Sequence, residues 1–290
     1  GSPYASLLEG VYLTETLEEG RNHIITLGGG WETPKRVWEK SGLIIRTLSP
    51  SLDGQMDFDE LNELLGPRTA LVSLPFGDSL TGYLYPVEAI AHLCEERGIL
   101  LHLSAEGVMG KLPIHLGDIP CSSLSLSIGG GVGAIILPWG WEPPSLALHA
   151  LESGHERVLG YCVESAKRAE KLGMEASRLT SLLETHLREG LPIGRSWWED
   201  TEKMAGVSLW NFPGIASELL AFRLNQQGIP VGWEGLADQL IAWGGERSWA
   251  ESMIALHITG EEGEESVKEL ATSIIQEVVA CQPLIPHEAI

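Results

Sequence analysis

Basic residues, cysteines and long apolar runs are all scarce in this chain. Its 290 residues include 19 Lys and Arg against 40 Asp and Glu, which gives a formal net charge of −21. Such a charge repels phosphate backbones and anionic lipid surfaces, so nucleic acid and membranes are poor candidates as partners. No apolar run approaches the ~18 residues that a membrane-spanning helix needs. The sequence therefore predicts an acidic protein that binds neither.

Cysteine and histidine are present without the spacing that a metal or a disulfide framework requires. The four cysteines form no CxxC pair, and the nine histidines form no HxH, HExxH or HxxxH motif. We therefore expect no metal site and a reducing compartment, the cytoplasm. Gly1 and Ser2 look like the remnant of a protease site, so we expect the native N-terminus to be truncated.

The first half of the chain alternates short β-rich runs with amphipathic segments, a pattern typical of a sheet with helices on its faces. Strands are predicted at 23–27, 43–48, 70–75, 99–103, 124–128 and 133–137. One helix is predicted at 57–65, because it begins with acidic residues and stops at Gly66 and Pro67. A second is predicted at 86–97, before Gly98.

Turn-forming residues at 139–144 interrupt this pattern and mark a predicted domain boundary. The predicted division is an N-terminal arm at 1–22, a large domain at 23–140 and a smaller α/β domain at 141–290. In the smaller domain we predict helices at 155–187, with a break near Gly173, and at 218–227, strands at 207–210, 230–233 and 253–258, and a final helix. The final helix is predicted to begin at a capping box formed by Thr259 and Glu262.

Glycine triplets and tryptophans stand out but do not define a site. The triplets 28–30 and 129–131 complete no phosphate-binding motif, which favours tight turns. Ten tryptophans are unusual beside four phenylalanines. We favour packing in the core and between domains over a partner-binding surface, although aromatic anchors often dominate interfaces. The candidates for a binding role are Trp139, Trp141, Trp197, Trp198 and Trp233.

Several spaced segments resemble motifs of one enzyme family. They are HIIT at 23–26, DGQMDFDEL at 53–61, TALVS at 69–73, HLSA at 102–105, GK at 110–111 and GVGA at 131–134. Together they resemble cysteine desulfurases of the NifS/IscS kind, within the class V aminotransferase-like family of pyridoxal-phosphate enzymes. The resemblance implies an α/β fold with a central, mostly parallel sheet, helices on both faces and a smaller C-terminal domain. It also implies a twofold dimer.

The residues that would carry the family's chemistry are where the resemblance fails. Pyridoxal phosphate needs a Schiff-base lysine, an acid against its pyridine nitrogen, a stacking group and polar contacts to its ring. The resemblance places Ser125 at the lysine, Ser104 at the acid and Gly107 at a glutamine that contacts the ring oxygen. Asp78 begins the triplet that replaces "NNE", and Trp31 falls near the stacking histidine. Of these five residues, only Trp31 could keep its role.

Two further family residues are missing from the second half. The nucleophilic cysteine would lie near 235–238, and the arginine that binds the substrate carboxylate meets 255–258. The sequence therefore predicts a catalytically degenerate member with a vestigial site at Trp31, Asp78, Ser104, Gly107 and Ser125. We expect no cofactor and no catalytic residue. The predicted role is structural or regulatory, as a homodimer or as a heterodimer with a homologous subunit, or as a partner of sulfur-transfer machinery.

Two alternatives stay open. The vestigial site could catalyse a different reaction, which would require the side chains of Asp78, His102, Ser104 and Ser125 to converge. The chain could instead remain a pyridoxal-phosphate enzyme with a displaced lysine such as Lys111. For Lys111 we favour a solvated surface position after a tight turn.

Overall fold

The computed structural model describes most of the chain, in segments. These are residues 20–27, 32–52, 54–108, 111–112, 114–115, 117, 119–129, 132–136, 155–197 and 202–282.

A six-stranded sheet forms the first half. Its strands are β1 (His23–Leu27), β2 (Ile44–Leu48), β3 (Thr69–Pro75), β4 (Leu100–Ser104), β5 (Ser123–Gly129) and β6 (Val132–Ile136). They lie in the order β2-β1-β3-β4-β5-β6, and every neighbouring pair is parallel except β5 and β6. Parallel neighbours require crossover connections, and helices provide them between the first four strands.

Three helices connect the strands of this sheet: α1 (Glu32–Lys40), α2 (Phe58–Leu64) and α3 (Val87–Glu96). Asp57 caps α2, because its side chain accepts hydrogen bonds from the amides of Asp59 and Glu60. Pro86 precedes α3, and Gly98 follows it with φ of 59°. The sequence signals at both ends of these helices are thus confirmed to within one residue.

The second half is built on a three-stranded antiparallel sheet, β7-β8-β9. Its strands are β7 (Arg195–Trp197), β8 (Val207–Asn211) and β9 (Met253–His257). The helices are α4 (His155–Gly190), α5 (Ser217–Gln226), α6 (Leu236–Ala242), α7 (Arg247–Ala250) and α8 (Glu264–Cys281). An α/β fold with a mostly parallel sheet and a smaller helix-rich C-terminal part is thereby confirmed.

The cores of the two halves are not separate. One apolar cluster combines Val72 and Leu103 of the first sheet with Leu209 of β8, Leu240 of α6 and Ala255 of β9. A second cluster lies between α4, α5, α8 and the other face of the small sheet. The predicted division at residue 140 therefore crosses a shared core, and as a domain boundary it stays a prediction.

Candidate functional site

Three of the five predicted site residues lie at or just after the carboxyl ends of β3 and β4, and a fourth, Ser125, is the third residue of the neighbouring strand β5. Ser104 is the last residue of β4, and its Cα partner on β5 is Ser125. Asp78 follows β3 by three residues, and Gly107 follows β4 by three. Trp31 lies outside the described residues. The topology thus brings Ser104 and Ser125 side by side, at the edge where parallel sheets commonly bind ligands.

The side chain of Asp78 forms hydrogen bonds within its own turn and with the second half of the chain. One carboxylate oxygen accepts hydrogen bonds from the amides of Leu80, at 2.8 Å, and Thr81, at 2.9 Å. The other accepts a hydrogen bond from the amide group of Gln239 in α6. Burial raises the pKa of Tyr85 well above its usual value, and the charge of Asp78 adds to that effect. Asp78 therefore shapes the turn after β3 and links it to α6.

Gly107 has close neighbours where a side chain would project. A Cβ at this position would lie 3.1 Å from the carbonyl oxygen of Gly77 and 3.3 Å from the Cβ of Ser79. The loop after β3 therefore occupies the space into which a larger side chain at this position would extend. A larger residue would require that loop to move.

His102 joins two serines of the neighbouring strand in a buried cluster. Its Nδ1 lies 2.8 Å from the Oγ of Ser123, and its Nε2 lies 3.2 Å from the Oγ of Ser125. The imidazole is fully buried. Ser104 completes the group, and its Oγ accepts a long hydrogen bond, at 3.4 Å, from the amide of Glu106. Three of the four residues of the repurposed-site alternative are thus together, and Asp78 is not among them.

Further polar side chains continue this cluster across the sheet. We define the polar face as the buried side chains of Thr26, Ser73, His102, Ser104, Ser123 and Ser125. Alternate residues of the same strands, such as Val72 and Leu103, point the other way into the apolar core. The hydroxyls of Thr26 and Ser73 are buried and have no hydrogen-bond partner among the residues that the structure describes.

Sequence reasoning missed Thr26, Ser73 and Ser123. A signal was available, because a hydroxyl occupies alternate positions of strands that are otherwise apolar. Its meaning depends on which strands are neighbours, and the sequence does not show that directly.

Two basic side chains lie where the second half of the chain meets the loop after β3. His257 at the end of β9 donates a hydrogen bond from Nε2 to the carbonyl oxygen of Ser79, at 2.9 Å. Burial lowers the pKa of His257, and the charge of Lys111 lowers it further, although the bond to Ser79 opposes both effects. Burial also lowers the pKa of Lys111. Lys111 is half-buried, so the expectation of a solvated surface lysine is wrong.

Tryptophans in the described part of the chain contact other parts of the same chain. Trp197 packs against Trp249 with ring centroids 4.7 Å apart and donates a hydrogen bond to the carbonyl oxygen of Leu52. Trp233 is half-buried. Trp139, Trp141 and Trp198 lie outside the described residues.

Metal-binding clusters and membrane-spanning helices are both absent from the described residues. These residues contain no cluster of three or more His, Cys, Asp or Glu side chains that could hold a metal ion. No helix among them is long and apolar enough to span a bilayer.

Comparisons with known proteins agree with this architecture. The model of the class-V aminotransferase family matches residues 9–129. A cysteine desulfurase of Nostoc sp. is 28% identical over 207 residues, which cover 66% of this chain and 52% of the relative. The cysteine desulfurase IscS of Mannheimia succiniciproducens is 33% identical over 129 residues, which cover 42% of this chain and 31% of the relative. The chain thus spans about half, or less, of the length of these relatives.

Solved structures show the same fold at low sequence identity. A NifS-like protein superimposes with a TM-score of 0.81 at 20% identity, covering 96% of this chain and 81% of that one. A NifS-like protein from Rickettsia africae gives a TM-score of 0.77 at 16% identity, covering 94% of this chain and 80% of that one. The fold is therefore that of the pyridoxal-phosphate-dependent transferases. Within that class, the chain matches the class V aminotransferase family over residues 9–129 and is similar to cysteine desulfurases of the NifS/IscS kind.

This assignment corrects the prediction that no cofactor is expected. The family depends on pyridoxal phosphate, so a cofactor is expected for a member of it. The three described residues that the sequence resemblance assigns to cofactor contacts nevertheless do not have the chemistry for those contacts. Ser125 offers a hydroxyl already bonded to His102, Ser104 has no carboxylate, and the space beside Gly107 is filled. These differences show how the chain departs from its family, and they do not overturn the expectation of a cofactor.

Proposed function

We propose that this chain is a cysteine desulfurase-like protein that does not catalyse desulfuration and acts as a structural or regulatory partner. The observation that carries the proposal is the buried bond between Ser125 and His102, at the position of the family's lysine. A serine there cannot form an imine, and it is instead part of the sheet's internal hydrogen bonding. Ser104, beside it, has no carboxylate to hold a pyridine nitrogen protonated.

The second half of the chain supports the same proposal. The sequence has no cysteine between Cys162 and Cys281, so the region of the mobile-loop nucleophile contains none. At the position of the carboxylate-binding arginine, Ala255 is fully buried and His257 is bonded to Ser79. The proposed partner is a second copy of this chain or a homologous active subunit, and the proposed compartment is the cytoplasm.

The experiment measures sulfide and alanine release from cysteine, with pyridoxal phosphate added. An active NifS- or IscS-like enzyme serves as the positive control. Binding of pyridoxal phosphate is followed separately by its absorbance, because cofactor binding and desulfuration are different questions. We expect release at blank level whether or not the cofactor binds. Release above blank that disappears when Cys94, Cys121, Cys162 or Cys281 is replaced would overturn the proposal.

The partner role is tested by titrating this chain into the active control enzyme. We expect sedimentation to show a complex and the rate of sulfide release to change as the complex forms. If the chain neither self-associates nor changes the sedimentation or rate of the active enzyme, the partner role fails.

A further inference from the structure

The His102 cluster has the order of groups that an activated nucleophile requires. Ser125 is the most accessible member, with 8% of its surface exposed, and His102 behind it has 0%. Ser123 lies on the far side of the imidazole, 2.8 Å from Nδ1. A hydroxyl on one ring nitrogen and a polar group on the other is the arrangement by which a histidine acts as a general base while its tautomer is held fixed.

We propose that Ser125 is a nucleophile activated by His102, with Ser123 as the positioning residue, and that the site accepts small uncharged carboxylic esters. Ser123 Oγ accepts the hydrogen bond from Nδ1–H, which leaves the lone pair of Nε2 directed at the hydroxyl of Ser125. The inference goes beyond the proposed function, although both use the bond between Ser125 and His102, because it assigns a reaction other than desulfuration to these residues. A chain inactive in desulfuration can pass or fail the test below, so the two proposals fail separately.

The chemical step balances within these residues, the ester and water. Oγ of Ser125 bonds to the acyl carbon while its proton passes to Nε2 of His102. The ester C–O bond then breaks, and the alcohol leaves with that proton. Water repeats the sequence on the acyl-serine, so that the net change converts an ester and water into a carboxylic acid and an alcohol.

Neighbouring groups favour a small and uncharged substrate. Only 8% of the surface of Ser125 is exposed, which favours a short acyl group, and the net charge of −21 repels anions. Ser104 lies beside Ser125 across the strand pair. Its Oγ accepts a hydrogen bond from the amide of Glu106, so its own proton can be donated to a developing oxyanion.

A structural hydrogen-bond network would not make Ser125 reactive, so reactivity is the property to test. The full-length chain is treated with a fluorophosphonate probe, which forms an Oγ–P bond and releases fluoride, and the labelled peptide is identified by mass spectrometry. We expect one label, on Ser125. His102→Asn should slow labelling at least 100-fold, since general-base catalysis contributes ~10²–10⁴-fold. Ser181→Ala is the matched control on the exposed face of α4 and should leave the rate unchanged.

No label on Ser125, or labelling at the same rate in His102→Asn, overturns the proposal. Because His102 is buried, thermal unfolding of His102→Asn is measured alongside, and Ser125→Cys gives a second test with the imidazole intact. A thiol beside Nε2 should be alkylated by iodoacetamide with a pH midpoint below the ~8.5 of a free cysteine. Burial raises the pKa of Cys94 to about 12, so that thiol does not compete. A midpoint at or above 8.5 contradicts the proposed base.

Discussion

Single hydrogen bonds between residues far apart in sequence join the two halves of this chain. His257 binds the carbonyl of Ser79, Trp197 binds the carbonyl of Leu52, and Gln239 binds Asp78. Each of these bonds involves a loop that follows a strand of the first sheet. Substitutions at such residues should therefore affect how the halves are held together, and two cases are specific enough to predict.

The first concerns the pH dependence contributed by His257. Its pKa is lowered in the folded chain, so below the ordinary value of about 6.5 the unfolded chain binds the proton first. The stabilisation from neutral His257 is therefore complete above pH 6.5 and is lost as pH falls toward the folded-state pKa. We expect the urea midpoint to fall between pH 7 and pH 5, and His257→Gln to reduce that slope.

The matched control is His92→Gln, because His92 lies on the exposed side of α3. It should leave the slope unchanged. Equal slopes for the His257 variant, the His92 variant and the unsubstituted chain would contradict the prediction.

The second concerns Gly206, which adopts φ of 82° immediately before β8. A Cβ there would lie 2.1 Å from the carbonyl oxygen of Ile258. Gly206→Ala should therefore cost more than backbone strain alone, at least about 3 kcal/mol of unfolding free energy. Gly228 has φ of 78° with nothing within 4 Å of an added Cβ, so Gly228→Ala should cost about 1–2 kcal/mol. Similar losses in the two urea titrations would show that the close contact does not matter.

At the scale of helices and strands, one buried carboxylate links helix α4 to the small sheet through hydrogen bonds. Glu184 is 7% exposed and accepts hydrogen bonds from Nζ of Lys203 and Oγ of Ser208, each at 2.6 Å. Arg188 binds its second oxygen at 3.2 Å. Removing the carboxylate leaves Lys203 partly buried without its partner.

We therefore expect Glu184→Ala to lower the free energy of unfolding by about 2–4 kcal/mol. This loss is smaller than the largest losses for fully buried ion pairs, because Lys203 is only partly buried. Glu175→Ala removes an exposed partner of Arg178 on the same helix and should cost less than about 1 kcal/mol. Chemical denaturation of the two variants measures the difference. Equal losses would mean that burial of Glu184 contributes nothing.

The strands of the first sheet were predictable because their apolar composition sets them apart from their surroundings. The predictions at 23–27, 70–75 and 124–128 match β1, β3 and β5 to within one residue at each end. In the second half, 230–233 forms only an isolated bridge from Gly232 to Ala255, while β7 and the helices α6 and α7 were missed. Short elements carry too few residues for periodicity to identify them.

Two helix predictions failed for reasons of packing and capping. A break near Gly173 was expected, yet α4 continues through it. A Cβ at this position would lie 2.8 Å from the carbonyl oxygen of Lys111. The glycine therefore allows the backbone of Lys111 to pack closely against α4. Thr259 and Glu262 do bond to each other, but they form a turn before α8, whose N-cap is Gly263.

The candidate site was predictable only in its location. The resemblance placed Ser104 and Ser125 near one another, but the bonds of His102 span 21 and 23 residues and depend on strand register. A shift of one residue would turn these side chains to the opposite face. The hydrogen-bonded cluster therefore required the three-dimensional structure.

At the scale of the whole molecule, the shared core should make the chain unfold as one unit. Trp243 of the second half is 5% exposed and lies edge-on to Tyr83 of the first, with ring centroids 6.0 Å apart. Trp243→Ala should cost about 3–5 kcal/mol and should shift the whole transition. Far-ultraviolet circular dichroism and tryptophan fluorescence should report coincident midpoints in both proteins. Two separated transitions would show that the halves unfold independently.

The shared core also has a consequence for synthesis on the ribosome. Leu124 and its neighbours leave the exit tunnel roughly a hundred residues before Met204, Leu240 and Ala255, which pack against the same sheet face. At ~5–20 residues per second, that interval lasts roughly 5–20 s. During it the apolar face of the nascent sheet is uncovered, and a holding chaperone that binds this face would occupy the place that the later half of the chain takes at the end of translation.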